Sequence, residues 1–159
     1  MCCSRDAGMT MINMSIDLAE KTGDASYYMD SMKLHKLLYL SQYTMLQTYG
    51  RRMFAEKITA HSCGPYVDGI KSIPAMRGFG LIRERFHPEN DDLVYPSVAR
   101  LEILEQTLEE YGKMTTEELI RKTKGTDPYK EVADQITETD KPEITVDSMK
   151  KKFSLLQVG

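Results

Sequence analysis

Cysteine is scarce in this chain: Cys2, Cys3 and Cys63 are the only three among 159 residues. Two are adjacent near the start and the third stands alone, so the odd set makes no disulfide framework. With no secretory leader, the expected compartment is a reducing cytoplasm. No apolar run approaches the roughly 20 residues of a membrane-spanning helix. CxxC, HExxH and paired HxH spacings, in which zinc sites usually show themselves, are absent. No glycine-rich phosphate loop follows a strand, and "GFG" at 78–80 lacks a following GK[ST]. Basic charge is not in excess: 21 Lys and Arg face 24 Asp and Glu, for a net charge of −3. That balance argues against a general binder of nucleic-acid backbone, although it permits a local basic patch. There is no internal repeat, low-complexity tract or inter-domain linker.

What remains fits one soluble domain with one core. Charged residues make up 28% of the chain, neither a disordered nor a membrane composition. Residues 1–9 read as a disordered or non-native tail, and 10–159 as the domain. A first helix is expected over 10–22, with Ile12, Ile16 and Ala19 on one face and Gly23 ending it. The strongest element is "SMKLHKLLYLSQYTMLQTYG", a helix over 31–49. Asp30 or Ser31 can cap it and Gly50 can end it. At 100° per residue Leu34, Leu38, Tyr39, Tyr43, Met45, Leu46 and Tyr49 fill a wide apolar arc. Lys33, Lys36, Thr44 and Gln47 lie opposite. An arc of that width predicts a helix buried against several neighbours. His35 and Gln42 interrupt it seven residues apart. They read either as a satisfied core hydrogen-bond pair or as the lining of a groove.

Alternation from Phe54 predicts a strand over 54–63, with Phe54, Ile58 and Ala60 on one side and His61 and Cys63 on the other. Gly64-Pro65 then reads as a strand-to-helix corner opening a short helix to about 73. "GFGLIRERFHPENDDLVYP" predicts a hairpin with arms 81–86 and 93–95. The last third is helical. Ser97 caps a helix with Val98, Leu101, Leu104, Leu108 and Tyr111 inward, and Gly112 stops it. Thr115 and Glu118 form a capping box for the next helix. Asp127-Pro128 opens a short one, with the acid as cap. "ITVDSMKKKF" closes the chain as a helix with Met149 and Phe153 inward.

Several constellations invite chemistry. Cys63 ahead of a helix start, with His61 nearby, could be an activated thiol. However, residues i and i+2 on a strand lie parallel without necessarily touching, and most cysteines are small apolar fillers. His61 and Cys63 as metal ligands would need His35 or His87 to complete a site. Arg51, Arg52, Lys71, Arg77, Arg83 and Arg85 concentrate basic charge mid-chain, without a helix-turn-helix signature. The frequent methionines, among them Met11, Met14, Met29, Met32, Met45, Met53 and Met76, suit either an adaptable binding surface or core gap-filling.

The stretch "LHKLLYLSQ", 34–42, resembles the pattern LQKLLYFAQ. At matching distance follow Ala60 and "GPYV", where that pattern has A-x-x-x-G-P-V. "DPY" at 127–129 then sits where it has a Pro-Trp pair. The chain is thereby similar, from about 12 to 153, to the Panacea domain of SocA-like antitoxins and GepA-like phage-associated proteins. His35 stands for the usual glutamine, Tyr66 for valine and Tyr129 for tryptophan, and His61 occupies a position where an aromatic is common. The resemblance makes Leu34, Lys36, Leu37, Tyr39, Gln42, Gly64, Pro65 and Pro128 motif residues with a structural role.

The expected fold is α+β and predominantly helical: a single domain with a central buried helix and a small antiparallel sheet from 54–63, 80–86 and 93–96. The function the resemblance implies is binding. This would be an antitoxin, associated with a phage or mobile element, that neutralises a cognate toxin protein. One family member delivers its toxin to a cellular protease as an adaptor. The expected interface is the surface near the 64–80 segment and the 81–95 hairpin, with Tyr66, Met76, Arg77, Phe79 and Tyr129 as partner-binding candidates. No catalytic residue, cofactor or metal is assigned, and neither nucleic acid nor a membrane is an expected partner. The alternatives are a DNA-binding regulator of a phage or toxin–antitoxin locus and, further off, a cysteine- or metal-dependent enzyme.

Overall fold

The structure, a computed structural model, describes residues 2–78 and 80–151. The helices are α1 (Ser4–Thr22), α2 (Ser31–Tyr49), α3 (Pro88–Asp91), α4 (Val98–Tyr111), α5 (Thr116–Lys124), α6 (Asp127–Lys130) and α7 (Val146–Lys150). The strands are β1 (Ile58–His61), β2 (Gly64–Val67) and β3 (Glu143–Ile144), in the order β2-β1-β3, with both pairings antiparallel. The fold is thus α+β and predominantly helical, as expected.

The core is organised around α2, which packs against α1, α4, α5, α7 and β2. From Lys33 through Gln42 every α2 residue is buried, as a helix surrounded on all sides requires. Its ends follow the sequence. Asp30 accepts the Lys33 N–H at 2.8 Å, and Gly50 closes the helix in the left-handed region at φ 68°. The Thr115–Glu118 capping box is formed on α5. Ser97 caps α4 and Gly112 ends it, but the inward face differs. Ile103, Leu104, Thr107 and Leu108 are buried while Val98 points out, 72% exposed. The α6 cap is Thr126 rather than Asp127, so that helix starts one residue early. Met9, Met11, Met29, Met45, Met53 and Met149 are all buried, which places these methionines as core filler.

Four expectations are corrected. First, α1 begins at Ser4, not near residue 10, so 4–9 belong to the core and not to a tail. Cys3 caps the helix, the Ser4 N–H donates to Glu56, and the Ser4 hydroxyl donates to the Asp68 carbonyl at 2.6 Å. Gly8 sits where a side chain would meet Ile73 at 3.1 Å, so its smallness lets α1 approach the turn at 70–73.

Second, 81–86 and 93–95 do not pair as a hairpin. Their backbone groups are claimed by α1 and by the chain ahead of α2. Asn13 bonds both the N–H and C=O of Phe86 at 2.8 and 2.9 Å, Asp6 accepts the Val94 N–H, and Ile82 bonds Met29. With those groups satisfied elsewhere, the arms lose partners that a ladder between them would need. The intervening residues form α3.

Third, Gly64-Pro65 opens a strand rather than a helix. Ser62 and Cys63 are the two-residue turn of a β1–β2 hairpin in which Ala60 faces Pro65. The N–H groups of Ala60 and Val67 both point away from the hairpin, to Pro142 and His35. The Ala60–Pro65 pair therefore exchanges no ladder bonds. A proline on this edge strand costs no hydrogen bond. Fourth, the third strand comes from 143–144, just before α7, which Thr145 caps. Phe153 lies outside the described residues.

Candidate functional site

The motif residues, far apart in sequence, meet where α2 faces the β1–β2 hairpin. Lys36, expected on the polar side of α2, is fully buried. Its Nζ donates to the Pro65 carbonyl at 3.0 Å, lies 3.1 Å from the Met32 sulfur, and sits 4.4 Å from the centre of the Tyr66 ring. An ammonium over a ring face is attracted by the ring quadrupole. Burial still holds the Lys36 pKa down, to about 8. Gly64 makes room for this lysine. Its φ is +99°, and a Cβ there would lie 3.0 Å from Lys36 Cε and 3.2 Å from Thr123 Oγ1.

The other polar motif residues also bond to main chain. Gln42 Oε1 accepts the Met53 N–H at 2.6 Å, and its Nε2 donates to the Phe54 carbonyl. His35 Nδ1 accepts the Val67 N–H at 2.9 Å. His35 and Gln42 are therefore not a pair: each anchors a different backbone segment to α2. The Tyr129 hydroxyl donates to the His61 carbonyl at 2.6 Å. Thr126 gives its hydroxyl proton to Thr123, so the Tyr39 hydroxyl, 2.6 Å away, is the donor of that pair. Leu34, Leu37 and Pro128 are buried.

Of the partner-binding candidates, Tyr129 is 3% exposed and belongs to the core. Its ring is covered and its hydroxyl is committed, so it presents nothing to a partner. Tyr66 is half-buried, stacked on His61 at 4.0 Å and tilted against His35 at 4.5 Å. Met76 is half-buried against the core. The Arg77 side chain and Phe79 lie outside the described residues.

His61 and Cys63 do not act as a unit. Cys63 is exposed in the hairpin turn, while His61 Nε2 lies 3.0 Å from the Thr59 hydroxyl. Among the described residues no group of three or more His, Cys, Asp or Glu side chains could hold a metal ion. The basic residues are also dispersed. Arg85 pairs with Asp17 and Glu20, Arg83 covers Tyr28, and Arg51 and Arg52 share a surface depression with Glu143 and Asp147.

Beside Tyr66 lies a pocket of about 310 Å³, with His35, His61, Asp68, Lys71 and Lys141 in its wall. The His35 pKa is pushed down to about 3, first by burial and then by Lys36. That of His61 is lowered by burial and by Lys141, Lys36 and Lys71. Sequence reasoning offered His35 as groove lining but not the rest of this pocket, because Lys71, in the turn at 70–73, and Lys141 are distant in the chain. Burial of Lys36 had one sequence signal: its place in the family motif, inside a helix with a wide apolar arc.

Among the described residues no helix is long and apolar enough to cross a membrane. No curated protein and no solved structure matches the chain. A family model described as "Antitoxin SocA-like, Panacea domain" matches residues 34–130, well over half of the 159. That span begins at the first residue of the α2 motif, contains the Gly64-Pro65 hairpin, and ends just past Tyr129, so it covers the Lys36-centred assembly except Met32. The chain belongs to the SocA-like antitoxin family, whose Panacea domain it carries.

Proposed function

We propose that this protein neutralises a cognate toxin by binding it directly, with no chemistry of its own. The observation that carries this reading is the antitoxin-family match over 34–130. The geometry of the motif supports it. Lys36, His35, Gln42 and Tyr129 each spend a polar atom on the backbone of a neighbouring segment. They hold a shape, and the surface around that shape is free to recognise a partner.

The toxin docks on the face beyond the hairpin, where Tyr66 and Met76 border the 64–80 segment. A second exposed apolar run, Val94, Tyr95 and Val98, exposed by 67%, 56% and 72%, joins the interface. Three large apolar side chains within five residues are the kind of anchor a protein interface buries. The toxin is encoded by a phage or mobile element together with this chain, and complex formation either blocks it or hands it to a cellular protease.

Co-expression with each neighbouring gene product tests the proposal. One neighbour should arrest growth alone, be silenced by this protein, and co-purify with it. Toxin level separates the two modes: it stays constant under blocking and falls under delivery, with the fall abolished in a protease-deficient host. If no neighbour is toxic, or silencing occurs without a complex, direct neutralisation is wrong.

A further inference from the structure

The pocket beside Tyr66 contains a hydrogen-bond donor that the protein itself does not use. His35 is 5% exposed, and its Nδ1 accepts the Val67 N–H. A neutral imidazole that accepts at one nitrogen carries its proton on the other. Nε2–H is therefore a fixed donor. Among the described residues it has no hydrogen-bond partner, and His35 forms part of the pocket wall. Burial keeps the ring neutral, so the tautomer does not change across the physiological range.

The charge around this donor is positive. Lys71 and Lys141 stand in the wall against a single carboxylate, Asp68. Lys71 has no acidic partner among the described residues, and Lys141 bonds the backbone carbonyl of Thr137, which leaves its charge uncompensated. Behind Tyr66 lies the Lys36 ammonium. This concentration stands out in a chain of net charge −3. Low-dielectric walls focus such a field on the pocket. At about 310 Å³ the pocket sits at the small end of ligand sites, roughly 300–1,000 Å³. It suits a compact molecule and not a polypeptide segment.

We propose that this pocket binds a small oxyanion, the phosphate or carboxylate group of a small molecule, with His35 Nε2–H donating from the floor and Lys71 and Lys141 supplying charge at the rim. The lysines attract either anion. The His35 donor, open to the pocket, then selects an oxygen acceptor over chloride, which accepts such a bond more weakly.

The test uses the full chain labelled with ¹⁵N at histidine. It is titrated with inorganic phosphate, acetate or citrate, with ionic strength held constant by sodium chloride. The expected result is a saturable shift of the His35 Nε2 resonance and a rise in Tm with anion concentration. A response to phosphate alone identifies a phosphate ligand, a response to acetate or citrate alone a carboxylate, and both the shared chemistry. Lys71→Met with Lys141→Met should weaken binding about tenfold or more. Both side chains reach solvent, so the variant should keep its unliganded Tm, and the titration, run without toxin, reads this site independently of the toxin-binding reading. No shift beyond the chloride control at millimolar anion, or equal binding by the double variant, overturns the proposal.

Discussion

Lys36 and Pro65 are joined across the α2–hairpin interface by a hydrogen bond of 3.0 Å, from a buried ammonium to a carbonyl on an edge strand. Burial has lowered the lysine pKa from 10.5 to about 8. The unfolded chain therefore binds this proton more tightly than the folded one. Between about pH 8 and 10.5 the unfolded state carries more protons, so the Lys36 contribution to stability rises with pH and is lost as pH falls through 8. Its full amplitude is on the order of 3 kcal/mol. Cys2, whose thiol burial pushes up to about 12, acts in the opposite direction above pH 9, so wild type alone gives a mixed profile. The difference between wild type and Lys36→Met isolates the lysine. Denaturant midpoints of the two should move apart in favour of wild type from pH 8 to 10. A constant difference would mean that Lys36 titrates normally.

Gly64→Ala should strike the same contact from the other side. The new Cβ combines a φ of +99° with approaches of 3.0 Å to Lys36 Cε and 3.2 Å to Thr123 Oγ1. Strain of this kind costs about 1–3 kcal/mol from the backbone alone, and displacing the lysine stem adds to it. A loss of about 2–4 kcal/mol in urea unfolding is expected. A loss below about 1 kcal/mol would show that the hairpin can shift away from α2.

How much of this was legible in the sequence depended on whether local chemistry decided the outcome. Helix α2 could be read to its ends, because Asp30, Gly50 and an apolar surround all lie within one stretch. The 81–95 segment could not. Its alternation is that of strands, yet Asn13 and Asp6, about eighty residues earlier, hold the backbone groups a hairpin needs. Gly64-Pro65 is compatible with a helix start or an edge strand, and only pairing with β1 decides between them. The early start of α1 rests on Glu56 and Asp68, contacts that no local signal announces. Within the site, the motif pointed to structural residues, but not to where their side chains lie. It placed Lys36 and Tyr129 in the pattern, while helical spacing put Lys36 outside and size made Tyr129 an interface candidate. Both are buried.

Gln42 fixes the chain leaving α2 by accepting the Met53 N–H and donating to the Phe54 carbonyl. Gln42→Leu keeps the volume and strands both buried backbone groups. The expected loss is about 2–3 kcal/mol. Gln42→Glu keeps the acceptor for Met53 but faces the Phe54 carbonyl with an oxygen, so it should lie between wild type and leucine only at a pH low enough to protonate it. Chemical denaturation at pH 4.5 and 7.5 reads both effects. Equal stability of Gln42→Leu and wild type would remove the clamp.

Tyr129 separates a core role from a partner role. Tyr129→Phe loses only the bond to the His61 carbonyl and should cost about 1 kcal/mol. Tyr129→Ala empties a buried site and should cost about 3–5 kcal/mol. Toxin silencing by Tyr129→Phe should match wild type at a temperature where both are folded. Silencing lost with stability intact would return this side chain to the interface.

The exposed run Val94, Tyr95 and Val98 should behave in the opposite way. These side chains contribute little burial, so Val94→Ser, Tyr95→Ser and Val98→Ser together should change stability by less than about 1 kcal/mol. A partner that buries them loses its aromatic anchor and two aliphatic neighbours. Because central aromatic residues carry a disproportionate share of interface energy, affinity for the toxin should fall at least about thirtyfold, mostly through faster dissociation. Surface plasmon resonance on the purified pair measures this directly. Pairing that result with Tyr66→Ala locates the interface. Additive losses would place the toxin across both the hairpin and the 94–98 run. Unchanged affinity in the triple variant would confine it to the hairpin side.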